Sequence, residues 1–462
     1  MNDSTHITQR THSSGIRSLL IRASAIAGLV LLMLGMTPLV AVAEGESVSV
    51  RLRYTDVETG EKTAAVDVAF TVRDESGATV GEGTTDDEGR IELALPGPGT
   101  YELEIDPGSL PEGINLRDPD RATATVVVEE GQSGAAIFAL VQGEGSSGDS
   151  GITLRQVAQL TVEGIKFGLF LGMAAIGLSL IFGTTGLVNF AHGEMVGWGM
   201  LLAYLFNFYG LAGAFGFMEG WPAPFGDGIN LIFATLFAIV GGAALGYAFD
   251  RLLFAPLRRR GASLIAQMVV TIGIGILLRY LFLFGFRGTP RFFKDYTAQS
   301  ALDLGLIEIT PKDLITAIIS IMVLAGVGLF IQRARMGKAM RAVADNRDLA
   351  ESSGIDVQRV IRFVWTLGGS LAALGGVFIG LSEQVSWNIG FRILLLIFAG
   401  VILGGLGTAY GALVGSLVVG IGIQLSTLFI PTELKNVGAY ALLILVLIIR
   451  PQGILGRAER VG

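Results

Sequence analysis

Phe167-Gly-Leu-Phe-Leu-Gly-Met-Ala-Ala-Ile-Gly-Leu-Ser-Leu-Ile-Phe-Gly183 is a charge-free apolar run inside a longer one over 157–183. A helix rising about 1.5 Å per residue needs about 20 such residues to cross about 30 Å of hydrocarbon. Stretches of similar length follow at 188–209, 229–250, 264–285, 312–332, 360–382, 391–409, 410–430 and 436–450. The chain therefore reads as an α-helical polytopic membrane protein with eight or nine transmembrane helices. A composition that is 51% hydrophobic and 16% charged over 462 residues agrees with that class.

Charge divides the chain further. Residues 44–150 carry a net charge of −16, residues 151–462 a net +7, and the first 43 a net +2. An acidic, water-facing module is joined to a basic, apolar one. If the first span begins outside, the third, fifth and ninth end in the cytoplasm. Those ends hold Arg251 with Arg258-Arg259-Arg260, then Arg333, Arg335, Lys338 and Arg341, then Arg450, Arg457 and Arg460. Cationic cytoplasmic ends are what membrane insertion selects. Trp221-Pro-Ala-Pro224 then falls in an external loop.

The N-terminus reads as an export segment over residues 1–43. Arg10, Arg17 and Arg22 precede an apolar run from Ala23 to Met36, and Ala41-Val42-Ala43 offers a small-residue cleavage pattern. A cleaved signal peptide and an uncleaved signal anchor both place residue 44 outside. Residues 44–141 then alternate, as in Val66-Asp-Val68-Ala-Phe70-Thr-Val72 and Tyr101-Glu-Leu103-Glu-Ile105, with turn chemistry at Glu58-Thr-Gly60 and Asp86-Asp-Glu-Gly89. Short half-buried strands at this spacing form a small all-β sandwich. Its segment 85–91, with Pro98-Gly99-Thr100-Tyr101 downstream, is similar to carboxypeptidase-regulatory or prealbumin-like surface domains. The acids Asp86, Asp87 and Glu88 read as a hairpin turn on a solvated edge, with calcium as the other reading. The Gly/Ser-rich residues 142–152 form a flexible linker to a membrane domain over 153–462.

The residue inventory excludes much chemistry. Without cysteine there are no thiolate metal sites or Cys nucleophiles, and with three histidines, two of them in the leader, no multi-histidine centre. The chain has no phosphate loop for ATP, no catalytic triad pattern, no cofactor motif and no sign of nucleic-acid binding. It does not read as an enzyme.

Ionisable groups inside spans default to functional candidates. They are Lys166, His192, Glu194, Arg279, Glu383 and Arg392. Lys166 and Arg392 lie near span ends, where long side chains reach the interface. Asn189, His192 and Glu194 share Gly186-Leu-Val-Asn189-Phe-Ala-His192-Gly193-Glu194, a polar break between apolar runs. Such a break can present backbone groups to a solute, carry a proton relay, or serve to pin neighbouring helices. The span glycines, including Gly404, Gly405 and Gly407, either permit close helix approach or belong to the pathway. After the fifth span, Met336, Ala339, Met340 and Val343 mark one face of an amphipathic helix. Asp345 or Asn346 can cap a second, short helix that Gly354 ends. Two such helices suit a cytoplasmic docking partner.

These segments resemble the permeases of branched-chain amino-acid ABC importers. Asn189-Phe-Ala-His-Gly-Glu194 looks like the family's opening membrane signature. Arg341-Ala-Val-Ala-Asp-Asn346-Arg-Asp-Leu-Ala350-Glu-Ser-Ser-Gly354-Ile355 looks like its cytoplasmic coupling segment. Leu403-Gly-Gly-Leu-Gly407-Thr-Ala-Tyr-Gly411 resembles its late glycine motif, and Arg450-Pro-Gln-Gly453-Ile-Leu455 its C-terminus. The resemblance implies a permease in the cell membrane that moves leucine, isoleucine, valine or related small amides. It implies a second permease subunit, two ATP-binding subunits and an extracytoplasmic solute-binding protein as partners, with membrane lipid around them. It assigns Asn189, His192, Glu194, Gly404, Gly405 and Gly407 to the substrate pathway, and Arg341, Asn346, Ala350, Gly354 and Ile355 to ATPase coupling. Two departures stand out: the family does not normally carry the export segment and β domain, and 390–398 is more apolar than its usual pattern. A proton-coupled secondary transporter built on His192 and Glu194, or a surface sensor working through the β domain, are the other readings.

Overall fold

The computed structural model describes residues 46–455 apart from 56–61, 117–121, 129–132, 137, 139, 143–152, 216–227, 287–289, 297–298, 300, 431–433 and 450–452. The export segment, the turn at Glu58, the linker beyond Gln142, the loop at Trp221, and Arg450, Arg457 and Arg460 lie outside the described residues. The described chain falls into two compact units, an N-terminal β unit and a helical unit.

The β unit is built from the alternation seen in the sequence. Strands β2 (Ala69–Asp74), β3 (Thr79–Thr84), β5 (Gly99–Ile105) and β6 (Thr123–Val128) form an antiparallel sheet in the order β3-β2-β5-β6. Strand β1 (Ser47–Arg51) pairs antiparallel with β4 (Arg90–Ala94) and parallel with β7 (Ser133–Ala136). Period-2 alternation sends Phe70, Val72, Leu103, Ile105, Val48 and Val50 into one apolar core. Buried Thr85 fastens it, its hydroxyl donating to Ala65 O at 2.7 Å and accepting from Val68 N at 3.0 Å. Asp86 accepts from Glu88 N and Arg90 N at 2.9 and 2.7 Å. This is the hairpin-turn reading of the acidic cluster, and no metal-holding group occurs among the described residues.

The helical unit has a helix at each of the nine apolar stretches. They are α1 (Leu154–Thr185), α2 (His192–Phe215), α3 (Leu231–Arg259), α4 (Leu264–Phe286), α5 (Pro311–Arg333), α8 (Val357–Ser382), α9 (Ile389–Gly404), α10 (Ala409–Ser426) and α11 (Lys435–Ile449). Between α5 and α8 lie the short helices α6 (Arg335–Asp345) and α7 (Arg347–Ser352). Six helices, α1, α3, α4, α5, α8 and α10, are long and apolar enough to cross a membrane, and α9 is a shorter apolar helix. The unit is that of a multi-pass membrane protein, mostly helical and preceded by a β region.

Glycine sets the packing. In lipid, hydrophobicity does not drive helices together, so close backbone approach carries the association. A methyl on Gly164 or Gly168 of α1 would strike the α10 backbone at Ile421 or Leu417, and one on Gly177 the α8 backbone at Gly368. Around these contacts α1 and α8 bury most of their length, while α4 and α5 leave rows such as Ile265, Val269, Ile276 and Ile315, Ile318, Met322 exposed. Exposed apolar rows on a membrane protein meet lipid or another subunit.

Candidate functional site

The polar break after α1 is a fold-back. Gly186, with φ +69°, caps α1 in the left-handed conformation, and the chain then passes without helix through a turn at Phe190 and Ala191 before α2 starts at His192. His192 Nε2 lies 2.8 Å from Ala174 O and donates to it, since a carbonyl only accepts. Ala174 is eleven residues before the end of α1, so α2 begins about 16 Å back along it. The expected span at 188–209 therefore starts deep inside the bundle rather than at a membrane surface.

A second fold-back mirrors the first. α2 and α8 run parallel, because methyls on Gly376 and Gly380 would strike Val196 and Met200. α8 ends at Ser382, yet Gly390 in the first turn of α9 abuts Gly193, each where a methyl would overlap the other's carbonyl. From the level of Ser382 to that of Gly193 is about 14 Å of descent. The N-termini of α2 and α9 thus meet in the interior, and the positive ends of two helix dipoles converge there.

Glu194 sits at this convergence, 2% exposed. Its Oε1 lies 3.3 Å from Arg279 Nε of α4, while Oε2 has no hydrogen-bond partner and faces Gly390. The Arg279 guanidinium stacks over the Phe391 ring at 3.8 Å. Asn189 is fully buried and turns the fold-back, accepting from Ala191 N at 3.1 Å. The structure thus brings Asn189, His192 and Glu194 into one buried locus and adds Arg279.

Gly404, Gly405 and Gly407 are elsewhere, in the turn between α9 and α10. Gly405 and Gly407 have φ of +111° and +79°, and a methyl on Gly404 would overlap the Gly411 carbonyl. Positive φ and close approach account for all three. The end of α9 is closed by the C-terminal segment, where Ile454 N and Leu455 N donate to Leu403 O and Gly404 O at 2.7 and 3.0 Å.

The helix pair α6–α7 forms as its sequence dictates. α6 buries Gly337, Met340 and Val343. Asn346 caps α7, its side chain accepting from Leu349 N at 2.9 Å. Ala350 is buried and Ile355 N closes on Ala350 O at 3.0 Å, while Gly354 ends the helix with φ +84°. Arg341 is exposed and donates to Gln332 O at 3.3 Å. Leu349 projects 64% exposed at the tip.

Two ion clusters differ from expectation. Lys166 does not reach for the interface: it is buried against Glu163 and Asp313, at 2.6 and 3.2 Å, because α5 brings Asp313 beside it. Asp250 was not among the sequence candidates, yet it is completely buried. It lies in a π turn of α3 (Phe249–Phe254), 2.5 Å from Arg258 Nη2 and 3.6 Å from Arg362 Nε of α8. Its position at the end of an apolar run, with Arg362 far along the chain, hid it. A charge flanked by Phe249 and a run of arginines was the available signal.

The family model described as branched-chain amino acid transport system, permease component, matches residues 160–447. The chain belongs to this family. LivH of Escherichia coli K12, a high-affinity branched-chain amino acid transport system permease protein, is 32% identical over 309 residues, 65% of this chain and 96% of LivH. BraD of Pseudomonas aeruginosa is 29% identical over the same shares, and a probable LivH of Methanocaldococcus jannaschii 28% identical over 64% of this chain and 92% of its own. The permease is thus a transporter subunit with additional sequence beyond what these relatives cover. Among solved structures, the TIE protein of Bacillus anthracis overlays on 21% of the chain and 17% of its own, at 23% identity and TM-score 0.17. The minor pilin GBS52 of Streptococcus agalactiae does so over 21% and 44%, at 15% identity and TM-score 0.18. Scores this low carry no argument.

Proposed function

We propose that the permease is the membrane-spanning subunit of an ABC importer for branched-chain amino acids or related small polar solutes. The match along 96% of LivH carries the reading. It works with a second permease subunit, two ATP-binding subunits and an extracytoplasmic solute-binding protein, in the cell membrane with its β domain outside. The capped helix pair α6–α7, with Leu349 bare at its tip, supplies a compact surface for an ATPase. Force applied there enters α8 directly, and the Asp250–Arg258–Arg362 cluster ties the start of α8 to α3. The glycine-packed helices move as rigid pieces, and the fold-back locus of Asn189, His192 and Glu194 lies on the path of the solute.

The test is leucine uptake into proteoliposomes holding the permease with its partner subunits and binding protein. ATP-dependent uptake is expected, and deletion of residues 346–354 should abolish it by preventing ATPase co-purification. Uptake that follows a proton gradient without ATPase subunits would replace this reading with secondary transport.

A further inference from the structure

α3 leaves one face bare. Phe233, Phe237, Val240 and Ala244, three or four residues apart, form an exposed apolar row that leads to the half-exposed ring of Tyr247 and then to Arg251. α3 begins at Leu231, so Arg251 stands about 30 Å along it, the thickness of bilayer hydrocarbon. With that row in lipid, Arg251 lies at the level of the headgroups.

Two guanidiniums flank the Tyr247 ring there. The Cζ of Arg251 lies 6.0 Å from its centroid, and that of Arg362, from α8, lies 5.9 Å away. Like charges sharing one ring repel, and little in the protein offsets them. Asp250 is the one carboxylate paired at this corner among the described residues, and Arg258 takes its Oδ1 at 2.5 Å. Arg362 Nε stands 3.6 Å from Oδ2, beyond hydrogen-bond range, and has no hydrogen-bond partner. Arg251 is exposed and makes no ion pair among the described residues. Three arginines thus face one aspartate. Lys166, by contrast, is a single cation met by two carboxylates, Glu163 and Asp313.

We propose that the corner formed by Arg251, Tyr247 and Arg362 binds the phosphate of an anionic phospholipid. A phosphodiester supplies the negative charge that the corner lacks and accepts from the forked donors of both arginines. Its acyl chains lie along Ala244, Val240, Phe237 and Phe233. A free phosphate would meet the cations but leave the apolar row unused, so the observations favour the lipid. Held there, the headgroup bridges α3 through Arg251 and α8 through Arg362, and it reinforces the junction that buried Asp250 ties from within.

The test is retention of phosphatidylglycerol by the purified permease complex, read by native mass spectrometry. Thermal unfolding of the same complex is followed in phosphatidylcholine nanodiscs with an increasing share of phosphatidylglycerol. Wild type should keep phosphatidylglycerol in preference to phosphatidylcholine, and its melting temperature should rise with that share to a plateau. Inorganic phosphate should give no such rise. Arg251→Gln should weaken retention about fivefold, as loss of one cation at an anionic membrane surface does. Arg251 is exposed, so this variant leaves the core intact. Arg362→Gln should also weaken retention and flatten the melting response. Arg260→Gln removes an exposed charge just beyond α3 but none from the corner, and it should retain phosphatidylglycerol as wild type does. Equal retention of the two lipids would overturn the site and leave this face to another subunit. An Arg260→Gln loss as large as that of Arg251→Gln would overturn it in favour of a diffuse basic surface. A melting rise produced by inorganic phosphate alone would overturn the lipid as occupant.

Discussion

Between Gly186 and His192 the chain turns back into the bundle and settles three backbone N–H groups on side-chain oxygens, while His192 Nδ1 stays buried without a hydrogen-bond partner. Leu187 N finds Thr185 Oγ1, Phe190 N finds Thr271 Oγ1, and Ala191 N finds Asn189 Oδ1, each at 3.1 Å. Between Glu383 and Ile389 the chain makes the same manoeuvre, but its backbone leans on a neighbouring loop, with Val385 and Arg291 exchanging hydrogen bonds at 2.7 and 2.8 Å. Its Glu383 and Arg392 side chains are exposed, with no hydrogen bond or ion pair among the described residues. Irregular backbone at membrane depth survives only where protein or a cavity satisfies it. The first fold-back keeps its ionisable groups buried, whereas the second leaves Glu383 and Arg392 at the surface.

That contrast can be broken experimentally. The largest effect should come from Glu194→Ala, which strands Arg279 beside the first fold-back. Breaking a buried pair costs about 3–5 kcal/mol, and the lower end is expected because the Arg279 side chain is 22% exposed. Thermal unfolding in detergent reads this, and a stability equal to wild type would show that the pair is idle. Next, Gly390→Ala forces a methyl onto the Gly193 carbonyl where the two helix starts meet. A loss of about 1–3 kcal/mol is expected from such overpacking, seen as a lower melting temperature. His192→Leu removes one hydrogen bond to Ala174 O and should cost about 0.5–1.5 kcal/mol. The smallest effect on stability belongs to the second fold-back, where Glu383→Gln and Arg392→Gln should stay within about 0.5 kcal/mol. If these two destabilise as strongly as Glu194→Ala, the distinction between the fold-backs fails.

Much of this was legible in the sequence, residue by residue. Period 2 in Val66 to Val72 marked a strand that the structure starts only at Ala69, after Asp67 at φ +58°, apolar length marked helices, and Asn346 and Gly354 announced both ends of α7 because capping and positive φ are local demands. Depth was not legible. Nothing in the segment from Gly186 to His192 reports that His192 reaches Ala174, since that depends on how α2 packs against α1 and α8. For the same reason Glu383 and Arg392 were visible singly but not as neighbours of Lys435, which reaches them only when α10 and α11 fold back. Asp250 was missed because an acid at the end of an apolar run looks like a boundary until Arg362, over a hundred residues later, is folded against it.

The π turn of α3 has its own consequence. Such a turn amounts to one residue inserted into an α-helix, and one residue is about 100° of rotation. The face of α3 that meets α8 through Gly242 and Gly246 is therefore out of phase with its basic end at Arg258 and Arg259. The turn acts as an indexing notch on a screw. Regular winding of the same residues would set Arg258 eight residues, or about 800°, from Asp250 and off its face, whereas deleting Leu252 would make that about 700°, close the notch and keep the arginine beside Asp250.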